Sequence, residues 1–326
     1  MFKRLRTELW QPARAHGEIQ QDRTVGPLEL FYDLVVAVLI GQAADHLAEH
    51  LDARGIGEFL VVFGLVWIAW FNATLHHDLH GREDIRSRLG FVVQILLLVP
   101  LGAFIPKADS VDGVVFAIDS ALLFGFITLL WWSASRGDAP QYRATAHRYL
   151  VATVAVAVVL AASAPLPAGL RMVVWGVVVL AYLLMFALLA LRAPASVIRA
   201  SMQITDALTE RFGAFVIIVL GETTASVVLG LSTGPTDPMR LAVGLVAVLV
   251  GFGSWWTYFD FAGHRDPVDT ARSKITWLVV HLPLTAAIAA MGATMVKLLE
   301  ESGAARTPTA IAWLLDGIDG LAVECA

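Results

Sequence analysis

Cysteine is almost absent from this chain of 326 residues: the single one is Cys325, next to the C-terminus. One cysteine excludes a disulfide within the chain and any metal site built from cysteines. Charged residues are scarce too, at 16%, whereas a soluble domain carries about 25%. The sequence also has no Gly-rich phosphate-binding loop and no nucleic-acid-binding motif. We therefore expect no nucleic-acid partner and no soluble nucleotide-dependent enzyme.

Hydrophobic residues, in contrast, make up 57% of the chain, and its mean hydropathy is +0.70. They form runs of roughly 20 residues, the length of helix that spans a hydrocarbon core about 30 Å thick. This pattern predicts an all-α integral membrane protein that is surrounded by the lipid bilayer. We predict ten spans, at about 29–47, 56–75, 88–106, 112–134, 146–163, 169–191, 207–231, 239–261, 275–298 and 309–323.

Lysine and arginine are distributed unevenly among the predicted loops. The N-terminal tail and every second loop hold 16 of them, and the opposite loops hold 6. Cytoplasmic loops of membrane proteins carry the excess of basic residues. The bias predicts a basic cytoplasmic tail over 1–27, followed by a multi-pass transmembrane domain over 28–326. Asp33 interrupts the first apolar run, so we interpret the tail as retained rather than as part of a signal peptide.

The first predicted span has a weak counterpart later in the chain. ELFYDLVVAVLIGQAADHL at 29–47 aligns with ERFGAFVIIVLGETTASVV at 210–228, which places Glu29 on Glu210. A similar shift places Trp67 on Trp255. We interpret this as two tandem repeats, about 28–206 with six helices and about 207–326 with fewer. An even number of crossings separates the two starts, so the repeats are predicted to be parallel.

Carboxylates inside the predicted spans are the main candidates for function. Glu29 and Asp33 lie four residues apart and so share one face of a helix. A charged side chain inside the bilayer costs about 2.5–3.5 kcal/mol on insertion scales. Such a carboxylate is expected to face a partner or a water-filled cavity. A structural hydrogen bond to a neighbouring helix is the alternative to a role in binding.

The seventh predicted span carries the clearest site signal. Glu222 falls near its middle, after Gly221 and before Thr223, and Gln42 lies at a similar depth on the first span. Small residues let helices approach closely, and hydroxyl groups can line a polar path. At the start of the same span we expect Glu210 and Arg211 to form an ion pair at the membrane surface.

The second and eighth spans both end in aromatic residues, which we interpret as an aromatic belt at the membrane surface. Asn72 and Asp260 lie within these stretches and are candidates for binding or for contact between repeats. His76, His77 and His80 follow in a predicted loop. A metal ion would need a further ligand, so we predict neither a metal site nor a cofactor. The candidate path residues are thus Glu29, Asp33, Gln42, Asn72, Glu210, Arg211, Glu222, Thr223 and Asp260.

Four stretches of the chain resemble the bacterial low temperature requirement A (LtrA) family. They are LELFYDLVVAVLIGQAADHL, the Trp–Phe–Asn stretch that ends the second span, ERFGAFVIIVLGE and WWTYFDF. The resemblance runs from about Leu28 to the ninth span and implies a multi-pass inner-membrane protein without naming a substrate. Phe31-Tyr32-Asp33 is also similar to the Phe-Ser-Asp start of potassium channels built from two six-helix repeats.

Three classes of function remain open at this point. A transporter or channel for an ion or small solute agrees best with carboxylates in paired repeats. A non-catalytic sensor or scaffold is the alternative, and assembly into a homo-oligomer is compatible with both. An intramembrane enzyme or a haem protein with His281 as a ligand is the third possibility. We expect no enzymatic activity, because the chain shows no Ser–His pair at motif spacing.

Overall fold

The computed structural model describes residues 11–16, 18, 23–192, 204–233, 238–263, 268 and 270–301. Nine α-helices, one short 3-10 helix (Ile105–Lys107) and no strands are found in these ranges, and all nine α-helices are long and apolar enough to cross a membrane. In chain order they are α1 (Pro27–Glu49), α2 (Ala53–His80), α3 (Ile85–Phe104), α4 (Gly113–Ser135), α5 (Pro140–Ser163), α6 (Ala168–Arg192), α7 (Asp206–Thr233), α8 (Pro238–Phe261) and α9 (Ala271–Glu301).

The first nine predicted spans each correspond to one of these helices, so the all-α fold is confirmed for the described residues. The tenth, at 309–323, lies outside the described residues. One boundary was wrong: α2 continues to His80, so the three histidines predicted to lie in a loop are helical. The helix ends where Gly81 adopts an extended conformation and donates its backbone N–H to the carbonyl of His77, at 2.8 Å.

Helix starts are set by local residues. Pro27 occupies the first turn of α1, where a missing backbone N–H leaves no hydrogen bond unmade. Asp52 and Asp84 cap α2 and α3, each through a side-chain oxygen that accepts a backbone N–H three residues on, at 2.7 and 2.9 Å. These short links between consecutive helices bring α1, α2 and α3 into one packed group.

Helix α1 is the centre of the bundle. It packs against α2, α3, α7 and α9, and its neighbours α2 and α9 are the most buried helices of the protein. Helices α5 and α8 lie at the periphery, with few of their residues buried. The first helices of the two predicted repeat units, α1 and α7, therefore lie side by side.

The aromatic belt predicted at the end of the second span was wrong for Trp67 and Trp70. Both side chains are buried, and Trp67 stacks on Phe71 with ring centroids 5.0 Å apart. Their counterparts at the end of α8, Trp255 and Trp256, are exposed. The difference follows from position, because α2 lies inside the bundle and α8 at its edge.

Candidate functional site

Three charged side chains meet where α1 and α7 begin. The guanidinium of Arg211 donates to both carboxylate oxygens of Asp33, at 2.8 and 3.1 Å, and to Glu29 at 3.0 Å. Arg211, Asp33 and Glu29 are 2%, 0% and 4% exposed. A two-pronged pairing of arginine with a carboxylate is the strongest form of ion pair in proteins. The contact ties the first helix to the seventh inside the bundle.

Two further charges extend this group towards α2. Arg23 precedes α1 and donates to Glu29 and to Asp78 of α2, each at 2.7 Å. The hydroxyl of Thr205 also donates to Asp78, at 2.7 Å. We call Arg23, Glu29, Asp33, Asp78 and Arg211 the charge cluster. It lies at the end of the bundle where α1, α3 and α7 begin, which we call the basic end.

The indole of Trp70 completes the surroundings of Asp33. Its Nε1–H donates to the carboxylate at 2.7 Å, and its ring stacks on Phe215 of α7 with centroids 3.8 Å apart. Asp33 thus accepts hydrogen bonds from two other helices. The structural alternative considered for this carboxylate, hydrogen bonding to a neighbouring helix, is what the geometry shows.

The ion pair predicted between Glu210 and Arg211 is not formed. Adjacent residues on a helix point in different directions, so Arg211 turns inward to α1 while Glu210 stays exposed. The carboxylate of Glu210 instead accepts the backbone N–H of Val25, at 3.3 Å. The arginine at this position is therefore shared by the two carboxylates of α1.

A cavity of about 150 Å³ opens beside the charge cluster at the basic end. Residues before and at the start of α1 line one side, including Arg23 and Glu29, and residues around the start of α3 line the other, including Ser87 and Arg88. Its wall carries charges of both signs. The cavity gives a polar space next to the buried ion pairs, on the side of the bundle that holds most of the basic residues.

A second polar region lies deeper, between α1 and α7. The carboxyl group of Glu222 packs against Gly41 so closely that a Cβ at Gly41 would overlap it. Asp45 lies one turn further along α1, close enough for its charge to act on Glu222. We call Gly41, Asp45 and Glu222 the α1–α7 seam. At 1.5 Å per residue, Glu222 is about 16 Å further along α7 than Arg211.

The seam differs from the charge cluster in its charge balance. Glu222 is half-buried and Asp45 is exposed at the surface of the bundle. In the part of the chain that the structure describes, no arginine or lysine forms an ion pair with either of them. Gln42 follows Gly41 and is half-buried. The seam therefore presents two acidic groups, Glu222 at mid-bundle and Asp45 nearer the end of α1, without a matching positive charge.

The remaining predicted residues lie elsewhere. Thr223 faces α9, where its hydroxyl contacts the Ile288 carbonyl at 3.4 Å, and not Glu222. Asn72 is buried between α2, α5 and α6; it donates to the hydroxyl of Tyr182 at 2.9 Å and accepts from Tyr149. Asp260 is exposed at the end of α8 and accepts the indole N–H of Trp256. None of these three joins the charge cluster or the seam.

His281 of α9 was considered as a haem ligand. Its Nδ1 lies 2.6 Å from the Trp277 carbonyl, and its Nε2 lies 3.0 Å from the hydroxyl of Tyr258. Both ring nitrogens are therefore used in hydrogen bonds within the protein. This arrangement accounts for a buried histidine in an apolar helix without a bound group.

Several functional partners were missed by the residue patterns. Trp70 was assigned to the membrane surface, and Arg23 and Asp78 were not connected with Glu29. The end of α1 also carries His46, Glu49 and His50 in the spacing His-x-x-Glu-His, and their possible ligand atoms lie within 4.8 Å of one another. The sequence alone shows this spacing, which was wrongly passed over in the sequence analysis. Glu49 and His50 are exposed.

Asp33 and Glu222 should differ in their reaction with a reagent that labels carboxyl groups. A hydrophobic carbodiimide modifies protonated carboxyl groups that it reaches from the lipid. We expect it to modify Glu222 and the exposed Asp45, and to leave Asp33 unmodified because Arg211 and Trp70 occupy both of its oxygens. Peptide mass spectrometry of the labelled protein measures this, with Glu222→Gln as the control. Modification of Asp33 in preference to Glu222 would contradict this account of the two sites.

Comparison with known proteins gives the family. Residues 24–322 match the family described as bacterial low temperature requirement A protein (LtrA). The chain belongs to the LtrA family. It is also 26% identical over 281 residues to an uncharacterized protein of Rhizobium meliloti (strain 1021). That match covers 80% of this chain and 66% of the relative, so the chain spans just under two thirds of the relative's length. No solved structure matches the chain.

Membership in the LtrA family confirms the resemblance read from the four sequence stretches. The family match extends over both the charge cluster and the α1–α7 seam. Together with nine apolar helices it makes this LtrA protein a multi-pass membrane protein.

Proposed function

We propose that this LtrA protein is a transporter or channel that carries a small cation along the α1–α7 seam. The proposal is supported by the position of Glu222. Its carboxyl group lies near the middle of a membrane helix, half-buried against Gly41 and near Asp45. Placing a charged carboxylate there costs about 2.5–3.5 kcal/mol on insertion scales. A cation or a proton that binds at the seam would offset this cost.

The charge cluster supplies a closed end for such a path. Arg211 joins α1 to α7 at the basic end, about 16 Å from Glu222 along the helix. Separation of these two helices would require Arg211 to leave Asp33 and Glu29. We propose that the cluster acts as a gate that separates the seam from the cavity beside Arg23. The predicted tandem repeats would then meet at the path.

The distribution of basic residues supports one orientation of the path. We propose that the basic end faces the cytoplasm and that the protein lies in the bacterial inner membrane, following the positive-inside rule. In this orientation Asp45 and Glu49, near the end of α1, face the opposite side. If the path opens on that side, these acidic groups would favour the entry of cations over anions.

Ion flux into liposomes that contain the purified protein tests the proposal. We expect flux of protons or of one or more alkali cations in the wild-type protein. Glu222→Gln should reduce it at least about tenfold, because the variant keeps the shape of the side chain and removes its charge. Asp112→Asn, which neutralises an exposed carboxylate in the link between α3 and α4, away from the seam and the cavity, is the matched control and should leave the flux unchanged.

Two outcomes would count against this function. Equal flux in wild type, Glu222→Gln and Asp33→Asn would remove both carboxylates from the path. Absence of flux for protons, alkali cations and anions would argue against ion transport as a whole. Protein-free liposomes measured in parallel give the baseline for both comparisons.

A sensor or scaffold is the second candidate, and the charge cluster favours it. Both oxygens of Asp33 are hydrogen-bonded within the protein, and its side chain is not exposed. A cluster that is satisfied in this way can hold helices together without moving an ion. Wild-type liposomes without any flux, combined with a stable protein, would support this second function.

A further inference from the structure

Three potential metal ligands that belong neither to the charge cluster nor to the seam meet at the basic end. His16 belongs to the described part of the N-terminal tail, His80 is the last residue of α2, and Asp138 lies in the turn between α4 and α5. Their possible ligand atoms lie within 4.8 Å of one another. Because 64 and 58 residues separate them in the chain, no sequence spacing reveals the group.

A hydrogen bond fixes the imidazole of His80 in a tautomer that can bind a metal ion. Its Nδ1 lies 2.8 Å from the backbone carbonyl of Arg14, and a carbonyl only accepts, so Nδ1 carries the proton. The other nitrogen, Nε2, then has the lone pair that a metal ion needs. Histidine ligands of metal sites are usually held in this way, by a carbonyl or carboxylate on the second nitrogen. The ring is also buried, at 3% exposed.

Asp138 supplies the negative charge. Its side chain is 4% exposed, and one carboxylate oxygen accepts the backbone N–H of His16 at 2.8 Å. Within the ranges that the structure describes, no arginine or lysine forms an ion pair with this carboxylate. Burial of a charged group without an opposite charge is unfavourable. The geometry therefore leaves a place for a cation between Asp138 and the two histidines.

The ring of His16 is also held in position. It packs on Tyr142 of α5, with ring centroids 4.2 Å apart, and lies 6.0 Å from the ring of His80. Ligand atoms around a tetrahedral zinc ion lie about 3.4 Å apart, given bond lengths near 2.0–2.1 Å. The ligand atoms lie within 4.8 Å of one another, so each separation needs to shorten by at most about 1.4 Å to reach this geometry.

From this geometry we propose that His16, His80 and Asp138 bind a divalent first-row transition metal ion, with zinc as the best fit. Two imidazole nitrogens and one carboxylate oxygen form a common zinc ligand set, and water fills the fourth position. The ion joins the N-terminal segment to α2 and to the α4–α5 turn. It is distinct from any cation that passes the seam, since it binds at the basic end and is held by the tail.

Zinc binding to the purified full-length protein in detergent tests the site, with a protein that carries no histidine tag. We expect one zinc ion per chain in wild type, measured by titration against a zinc-sensitive dye. Loss of a residue that only supports a ligand lowers metal affinity by about 10–100-fold, so His16→Ala and Asp138→Asn should weaken binding at least tenfold. Thermal unfolding without zinc should be similar to that of the wild type.

Two control variants locate the ion. His147→Ala removes an exposed histidine of α5 outside the cluster and should bind zinc as wild type does. His46→Ala disrupts the two other groups of possible ligands, one with Glu49 and His50 and one with Glu58 and Asp109. Binding should persist in it. As a second readout, zinc should slow trypsin cleavage after Arg14 in wild type and not in His16→Ala.

The proposal is overturned by any of three results. Wild-type protein that takes up no zinc excludes the site. Unchanged affinity in both His16→Ala and Asp138→Asn excludes these residues as ligands. Loss of binding in His46→Ala alone assigns the zinc ion to the opposite end of the bundle.

Discussion

Replacing Arg211 by glutamine is expected to lower the free energy of unfolding by about 3–5 kcal/mol, the usual effect of removing one partner of a buried ion pair. The variant leaves Asp33, which is fully buried, with only the indole of Trp70 as a donor. Glu29 retains Arg23, at 2.7 Å. The uncompensated charge is therefore mainly that of Asp33.

A second substitution should reverse most of this loss. In the double variant Arg211→Gln, Asp33→Asn, the buried carboxylate is gone together with its cation, and the amide still accepts from Trp70. We expect its unfolding temperature in detergent to lie well above that of Arg211→Gln. Comparing the single with the double variant thus separates the free-energy cost of an unpaired charge from the effect of losing the arginine side chain.

An exposed arginine provides the control for Arg211. Arg54 pairs with Glu58 at 2.7 Å, but its side chain is 71% exposed, so Arg54→Gln is expected to leave the unfolding temperature almost unchanged. Thermal unfolding followed by tryptophan fluorescence measures all the variants. If Arg211→Gln and Arg54→Gln unfolded at the same temperature, the charge cluster would have no role in stability.

Replacing Trp70 by alanine is expected to lower the free energy of unfolding by about 3–5 kcal/mol through the cavity that it leaves. The side chain is not exposed, stacks on Phe215 and meets Phe212 edge to face, with centroids 3.8 and 5.0 Å away. Trp70→Phe keeps a six-membered aromatic ring but removes the donor to Asp33 and some of the packing volume. A hydrogen bond to a charged group contributes about 1.5–3 kcal/mol, so this variant should be intermediate.

The matched control for Trp70 is Trp256. Its indole also donates to an aspartate, Asp260, but at the edge of the bundle and with the residue 55% exposed. Trp256→Phe should therefore change the unfolding temperature little. Equal effects of Trp70→Phe and Trp256→Phe would mean that the hydrogen bond to Asp33 adds no stability.

The helical bundle could be read from the sequence because its signal is local. A run of apolar residues such as 56–75 predicts a membrane helix whatever surrounds it, since the bilayer itself sets the length. The same reasoning placed the first nine spans correctly. It failed at His76–His80, where polar residues end the apolar run but remain helical because they pack against other parts of the protein.

The contacts among the residues of the charge cluster could not be predicted from local sequence patterns. Glu29 and Asp33 were identified as candidates from four-residue spacing, and Arg211 from its position at a helix start. That Arg211 binds both carboxylates depends on α1 and α7 lying side by side, across 178 residues of chain. Thr223, in contrast, is adjacent to Glu222 in the sequence, but its side chain faces α9.

The sequence by itself determined that this is an all-helical membrane protein of the LtrA family, because length, apolar runs and family motifs are properties of contiguous residues. Only the tertiary structure decided which charges are paired. Asp33 is neutralised by Arg211, Glu222 has no such partner among the described residues, and His16, His80 and Asp138 converge at the basic end. Charges act over a few ångströms in a medium of low dielectric constant, so their effect depends on distances that helix packing alone sets.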